Sequence, residues 1–406
     1  MTEMKVPFGA LTITDMAKAY VEKAIHDDRL SQGKFVRALE KKFAEFIGTK
    51  YAVAVNSGTV AISIALSTLY EITKAKRNSK IIVPALTFIA SSNAILQAGF
   101  IPKFVDIDLE TLNINVSKVE ESIDKETSGI LPVHLMGKPV DINELLDLHP
   151  SIPDLKIAVI EDAAEAHGAK INGSKVGTLG LAGCFSLYIA HIVSSIEGGM
   201  ITTNDKTVAD LAKSLRNHGR LCDCKVCTIQ HAPDSCPLRT DSDPKVDPRF
   251  IFPRIGYSAK MNELEAAIGL GTMEKADEIL EQRRENYYYY SMEFSRFSDD
   301  FITYEEGENE QIGPHAFPII LRPETKFERN DFAYYLQKNG IDSRTLFCSI
   351  PTQSAGYEWM GHKKGSFPVA EYVGDNGLHI GIHQGIFEAE RKYVIEVVER
   401  FFKEEV

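Results

Sequence analysis

The sequence predicts an α/β protein: a mostly parallel sheet with helices on both faces, followed by a smaller α+β C-terminal region. Three observations carry that expectation. Short apolar runs alternate with helix-patterned segments through the first two-thirds of the chain, the signature of repeated β-then-α units. The 406 residues are 44% hydrophobic, enough for a large core and two domains. Beyond the middle the alternation gives way to a long Ala-, Glu- and Leu-rich helical stretch and then to shorter mixed segments.

Taken in order, Lys34–Phe46 reads as a helix, and Tyr51–Val55 as a buried strand ending in Asn56-Ser57-Gly58-Thr59. An Ala-rich helical stretch, Val60–Leu66, follows. Further strands are expected at Lys80–Val83, Ile101–Val105, Gly129–Val133, Ile157–Ile160 and Met200–Thr203, with a helix over Lys206–Leu215. Residues 221–249, rich in Cys, Pro and Asp, show neither period; so long a segment inside a compact domain is functional or disordered. Met261–Ser295 reads as one long helix. The expected division is a large domain over 1–255, including the Cys-rich loop 221–249, and a connecting helix with a small domain over 256–406.

Bulk properties exclude some functions. The net charge is −12 with no basic block, which argues against nucleic-acid binding. No apolar run approaches a membrane span, and Met1-Thr2-Glu3-Met4-Lys5 lacks a signal-peptide pattern, so a cytoplasmic location is expected. Of six cysteines, four crowd into Cys222–Cys236, which in a reducing compartment reads as metal binding before disulfides.

Several short motifs carry chemistry. Asn56-Ser57-Gly58-Thr59, between strand and helix, offers backbone N–H groups and a hydroxyl to a phosphate, although taken alone it reads more simply as a turn. Val159-Ile160-Glu161-Asp162-Ala163-Ala164 places two acids at a strand end, where a carboxylate can pair with a protonated pyridine nitrogen or merely cap. Phe88 could stack on a flat ring or belong to the core.

The order of these pieces is more specific than any one. Ser-Gly-Thr, then Pro84-x-x-Thr87-Phe88, Asp106-x-Asp108, His134-Leu135-x-Gly137, Glu161-Asp162-Ala163-Ala164-x-Ala166-His167-Gly168, Glu197-Gly198-Gly199, Arg216-x-His218-Gly219-Arg220 and Gly256-Tyr257-Ser258-Ala259-Lys260-Met261-x-Glu263 resembles the DegT/DnrJ/EryC1/StrS sugar aminotransferase family. The resemblance implies an aspartate-aminotransferase-type fold (fold type I), pyridoxal phosphate (PLP) or pyridoxamine phosphate (PMP) as cofactor, and a homodimer with shared active sites. It further implies that Ser57, Gly58, Thr59 and Ser186 lie at the phosphate, that Phe88 stacks on the ring, and that Asp162 meets the pyridine nitrogen.

Three positions depart from the aminotransferase pattern. His191 stands where the Schiff-base lysine belongs, and no other lysine falls in that register. Glu165 stands where a Gln commonly faces the cofactor's phenolic oxygen, and Ser258 replaces the Asn that usually reaches across the dimer. An imidazole cannot form a Schiff base with PLP. It can take a proton near C4′ of the cofactor and return it to a leaving hydroxide. The family's 3-dehydrases, which deoxygenate C3 of a nucleotide-linked 4-keto-6-deoxyhexose, resemble this sequence at that substitution.

Gly219-Arg220-Leu221-Cys222-Asp223-Cys224-Lys225-Val226-Cys227, followed by Cys236, resembles the iron–sulfur branch of those dehydrases, with an extra close Cys227 and a later last cysteine. Four thiolates in one loop suit a [2Fe-2S] or [4Fe-4S] cluster, or a structural zinc as the alternative. The favoured reading is a reductive dehydrase supplied with electrons by a flavin or iron–sulfur reductase. Its competitors are a glutamate-using dehydratase with zinc in the loop and an inactive ligand-binding protein on the same fold; an ordinary aminotransferase ranks last. Cys184 and Cys348 read as core, while His134, His218, Lys260, His379 and His383 are pocket candidates without roles.

Overall fold

The computed structural model describes residues 4–11, 13–27, 30–148, 156–222, 236, 238 and 247–404. Nine strands precede residue 204: β1 (Tyr51–Val55), β2 (Lys80–Pro84), β3 (Ile101–Val105), β4 (Thr127–Ile130), β5 (Ala158–Asp162), β6 (Lys170–Ile171), β7 (Ser174–Lys175), β8 (Ala182–Ser186) and β9 (Gly199–Thr203). Seven of them form one sheet in the order β1-β9-β8-β5-β4-β2-β3. Only β9 runs against its neighbours. The expected mostly parallel sheet is therefore present. β5 and β9 are buried along their whole length, as strands covered on both faces must be.

The helices follow from capping and patterning. Ser57 caps Gly58–Ser67 by accepting the Val60 amide, and Asp205 caps Lys206–Leu215 by accepting those of Thr207 and Val208. Lys34–Ile47 is capped from afar: the buried Glu263 carboxylate accepts the amides of Gly33, Phe35 and Val36 at 2.8, 2.9 and 3.0 Å.

Three expected elements are corrected. The strand read at Gly129–Val133 spans Thr127–Ile130, because Pro132 has no N–H for the ladder and Val133 keeps only an isolated bridge to Asp162. The strand read at Ile157–Ile160 is Ala158–Asp162, so both acids belong to it. The single helix read over Met261–Ser295 is two helices, Glu263–Met273 and Ala276–Phe294. Asn262 caps the first, the Thr272 hydroxyl donates to the Ser194 carbonyl at 2.8 Å near its end, and Lys275 leaves helical geometry at φ −115°, ψ 10°.

Five strands follow: β10 (Phe301–Ile302), β11 (Glu310–Gln311), β12 (Ala316–Leu321), β13 (Ser343–Thr345) and β14 (Gly377–Gly381). β10, β12, β14 and β13, in that order, make an antiparallel sheet, and β11 pairs with β6 beside β7. The packed face of the four-stranded sheet is rich in Phe and Tyr, with Phe317, Phe294, Phe301 and Phe401 almost wholly buried. Among the described residues, no helix is long and apolar enough to cross a membrane.

Candidate active site

Parallel strands end on one edge of their sheet, and in such sheets ligands bind beyond the carboxyl ends. Ser57, Gly58 and Thr59 directly follow β1, Phe88 follows β2, Asp162 ends β5, Ser186 ends β8, and Glu165 and His191 lie shortly beyond those last two. β9, running the other way, brings Gly199 to the same edge opposite Ser186 and Val55. The fold therefore gathers the catalytic and cofactor candidates read from the sequence other than Ser258, but not the four cysteines.

The β1 turn is tight. A Cβ on Gly58 would lie 2.7 Å from the Cβ of Ser186, and one on Gly199 would lie 2.2 Å from the Ser57 carbonyl oxygen, so only glycine lets the three segments meet. Ser57 spends its hydroxyl on the helix cap, which makes it a shaper of the turn. The amides of Gly58 and Thr59 open the helix, where no intrahelical acceptor exists, and its first turn holds no acid. Ser186 Oγ accepts from the Tyr188 amide at 3.3 Å.

Strand alternation parts the two acids of β5. Glu161 turns away from the edge and accepts the amides of Gly177, Leu179 and Gly180 at 2.6, 3.0 and 2.7 Å. It also faces His134 Nε2 at 3.2 Å; since His134 Nδ1 accepts the Val140 amide, Nε2 is the donor. Glu161 and His134 are thus structural, and the capping alternative holds for that acid. Asp162, 4% exposed, accepts from Ser91 Oγ at 2.7 Å and from the Ala164 amide at 3.2 Å. Burial raises its pKa despite those hydrogen bonds and nearby His134. Among the described residues no cation pairs with this buried carboxylate, which lies on the edge where a pyridinium would fit.

Glu165 is buried as well. Desolvation raises its pKa to about 8, opposed by the Met136 amide it accepts at 2.8 Å and reinforced by Asp162. Near neutrality it carries a proton and can donate to a phenolic oxygen, as the Gln amide would. Phe88 is 57% exposed with its ring 5.7 Å from Phe347, so it is available to stack and is not a core residue. Ser258 is exposed beside the β1 turn, where Ala259 accepts the Asn56 amide.

His191 lies in the loop after β8, its amide donating to the Tyr188 carbonyl. Among the described residues its buried Nδ1 has no hydrogen-bond partner. Its ring lies 4.7 Å from His315 and 6.0 Å from His167. Burial first, and the Arg283 guanidinium second, lower its pKa to about 3, so it is a neutral imidazole. The sequence marked His167 only as part of a motif and did not mark His315 or Arg283, which no local pattern ties to position 191.

The remaining candidates divide. His379 is buried between the rings of Phe8 and Phe347, and His383 bridges the Pro7 carbonyl and the Gly385 amide, so both serve packing. His218 is exposed, and Lys260 donates to Asn217 Oδ1 at 3.1 Å. Cys184 is buried in β8, paired in register with Asp162, and the Cys348 sulfur meets the Ser354 hydroxyl at 3.0 Å. Cys222 is half-buried, Cys236 is buried, and neither is in a disulfide; Cys224 and Cys227 lie outside the described residues. Among the described residues, no group of three or more His, Cys, Asp or Glu is placed to hold a metal ion.

The chain is similar over almost its whole length to proteins already known. The profile of the DegT/DnrJ/EryC1/StrS aminotransferase family matches residues 12–399. The GDP-perosamine synthase of Caulobacter vibrioides is 32% identical over 91% of this chain and 91% of its own. The GDP-4-keto-6-deoxy-D-mannose 3-dehydratase of Yersinia pseudotuberculosis is 29% identical over 93% of this chain and 94% of its own. A crystal structure of GDP-4-keto-6-deoxymannose-3-dehydratase with a trapped PLP-glutamate geminal diamine superposes with a TM-score of 0.83 at 26% identity, covering 97% of this chain and 100% of that one.

Proposed function

The chain belongs to the DegT/DnrJ/EryC1/StrS aminotransferase family, and from that premise we propose that it removes the C3 hydroxyl of a nucleotide-linked 4-keto-6-deoxyhexose, with PMP as cofactor and His191 as base. The observation that carries this reading is His191 itself, a neutral imidazole on the strand-end edge in the register of the family's lysine.

When bound, PMP supplies an amine that condenses with a keto group and a ring that takes up the electrons of an adjacent C–H bond. The residues present fit that group. Gly58 and Thr59 would hold the phosphate through their amides and Ser186 through its hydroxyl, with Ser57 fixing the turn. Asp162 would gain the cationic partner its buried carboxylate lacks. Glu165 would donate its proton to the phenolic oxygen, and Phe88 would cover the ring face. Nε2 of His191 would accept the proton from C4′ and deliver it to the departing hydroxide. The proposed enzyme is a homodimer, in which the exposed Ser258 would stand near the partner's phosphate in place of an asparagine amide.

For the electrons, Cys222, Cys224, Cys227 and Cys236 would hold an iron–sulfur cluster supplied by a flavin or iron–sulfur reductase. Loss of the hydroxyl as water, with two electrons and two protons, then yields the 3-deoxy sugar. The glutamate adduct in the related dehydratase favours a second reading, turnover by glutamate, in which the Cys loop would hold zinc instead of a cluster.

One experiment separates these readings. Protein purified anaerobically is analysed for iron, sulfide and zinc, then incubated with PMP and either GDP-4-keto-6-deoxymannose or CDP-4-keto-6-deoxyglucose. A 3-deoxy product with reductant, together with iron and acid-labile sulfide, is expected. Stoichiometric zinc and glutamate-driven turnover would select the second reading, and a 4-amino sugar would overturn both.

A further inference from the structure

Arg283, on the Ala276–Phe294 helix, is 1% exposed, and among the described residues no carboxylate pairs with it. A buried cation without an anion is costly and is retained only where its surroundings over-determine it. Here two carbonyls do so: Nη2 donates to Ala190 O at 3.1 Å and Nη1 to His315 O at 3.0 Å, while Nε is left without a partner. Ala190 directly precedes His191, and the His315 ring lies 4.7 Å from the His191 ring at an interplanar angle of 34°.

We propose that Arg283 is the positioning residue for His191: its two-pronged grip on the Ala190 and His315 carbonyls sets the two imidazoles side by side and confronts them with an uncompensated positive charge. This rests on the reading of His191 as the base. The titratable groups facing His191 are Arg283 from the helix, His315 from the lead-in to β12, His167 from the turn after β5 and Tyr188 from its own loop. No carboxylate is among them. The guanidinium charge acts with burial to hold His191, His315 and His167 all below the usual imidazole range. The same charge lowers the basicity of Nε2, so it opposes uptake of the C4′ proton and favours its release to the leaving hydroxide.

The test is an NMR titration of the histidine imidazoles in the cofactor-free, full-length protein, with the His191 signal identified by its loss in His191→Asn. The parent is expected to keep His191 neutral at pH 5, and Arg283→Met to raise its midpoint by about one unit or more. An unchanged midpoint would overturn the proposal. Should Arg283→Met not fold, Arg283→Lys carries the test. Its ammonium keeps the charge but not the fork, so the midpoint stays low while C4′ proton exchange in the PMP-loaded protein slows about tenfold at unchanged KM. Exchange at the parental rate would overturn the positioning role. His191→Asn exchanging at the parental rate would defeat the base assignment instead, so the two failures are distinguishable.

Discussion

Glu161 and Asp162 are neighbours on β5 and both are buried, yet their surroundings are opposite. Glu161 faces the turn at residues 177–180 and receives three backbone amides and an imidazole N–H. Asp162 faces the strand-end edge and receives one hydroxyl and one amide. A full hydrogen-bond shell marks a carboxylate that serves the fold. A partial shell around an equally buried one marks a carboxylate held ready for a ligand. Among the described residues His134 has both ring nitrogens occupied, whereas His191, like His167, His315 and His379, has a buried ring nitrogen with no partner.

Substitutions on either side can break that comparison. The largest effect is expected from Glu161→Leu, which leaves three amides and His134 unpaired in the interior; stability should fall by ~4 kcal/mol in urea unfolding, with PMP affinity retained by the folded fraction. A loss under ~1 kcal/mol would remove the structural half of the contrast. Asp162→Asn should do the reverse: C4′ proton exchange falls ~100-fold, an effect of ~3 kcal/mol, while thermal stability holds or rises because a buried carboxylate is gone. Near-parental exchange would show that this carboxylate meets no cation.

Gly58→Ala sharpens the edge itself. Its Cβ, 2.7 Å from that of Ser186, must push the helix start from β8, and PMP affinity should drop about tenfold in an absorbance titration. The last test is a pH slope, worth about 3 kcal/mol between pH 5 and pH 8. Folded Glu165 keeps its proton to about 8, whereas the unfolded side chain releases it near 4.5, so the folded state binds more protons in between and stability declines as pH rises across that window. Glu165→Gln should flatten this decline when urea midpoints are compared at pH 5 and pH 8. An identical slope would mean that Glu165 is ionised in the folded protein.

The gathering of these residues at the strand-end edge was legible because they sit in short contiguous motifs at strand ends, each fixed by local geometry: Gly58 by a contact only glycine allows, Asp162 by strand alternation. β8 went unread because Ala182-Gly183-Cys184 has little strand character; Gly183 is required since a Cβ there would lie 2.4 Å from the Gly177 Cα. The break after Met273 depends on a hydroxyl reaching Ser194, which no periodicity reveals. Arg283 and His315 are far from position 191 along the chain and meet it only in the folded protein, so no spacing could have flagged them. Phe88, taken alone, had read more readily as core, and its exposure decided otherwise.

The central claim is that His191 moves the proton at C4′. Protein loaded with PMP carrying deuterium at C4′ is incubated with the 4-ketosugar, and release of label to water is followed for the parent and for His191→Asn. The account predicts release by the parent and a loss of at least ~100-fold in the variant, the size expected when a general base is removed. Equal release by the two proteins would contradict it.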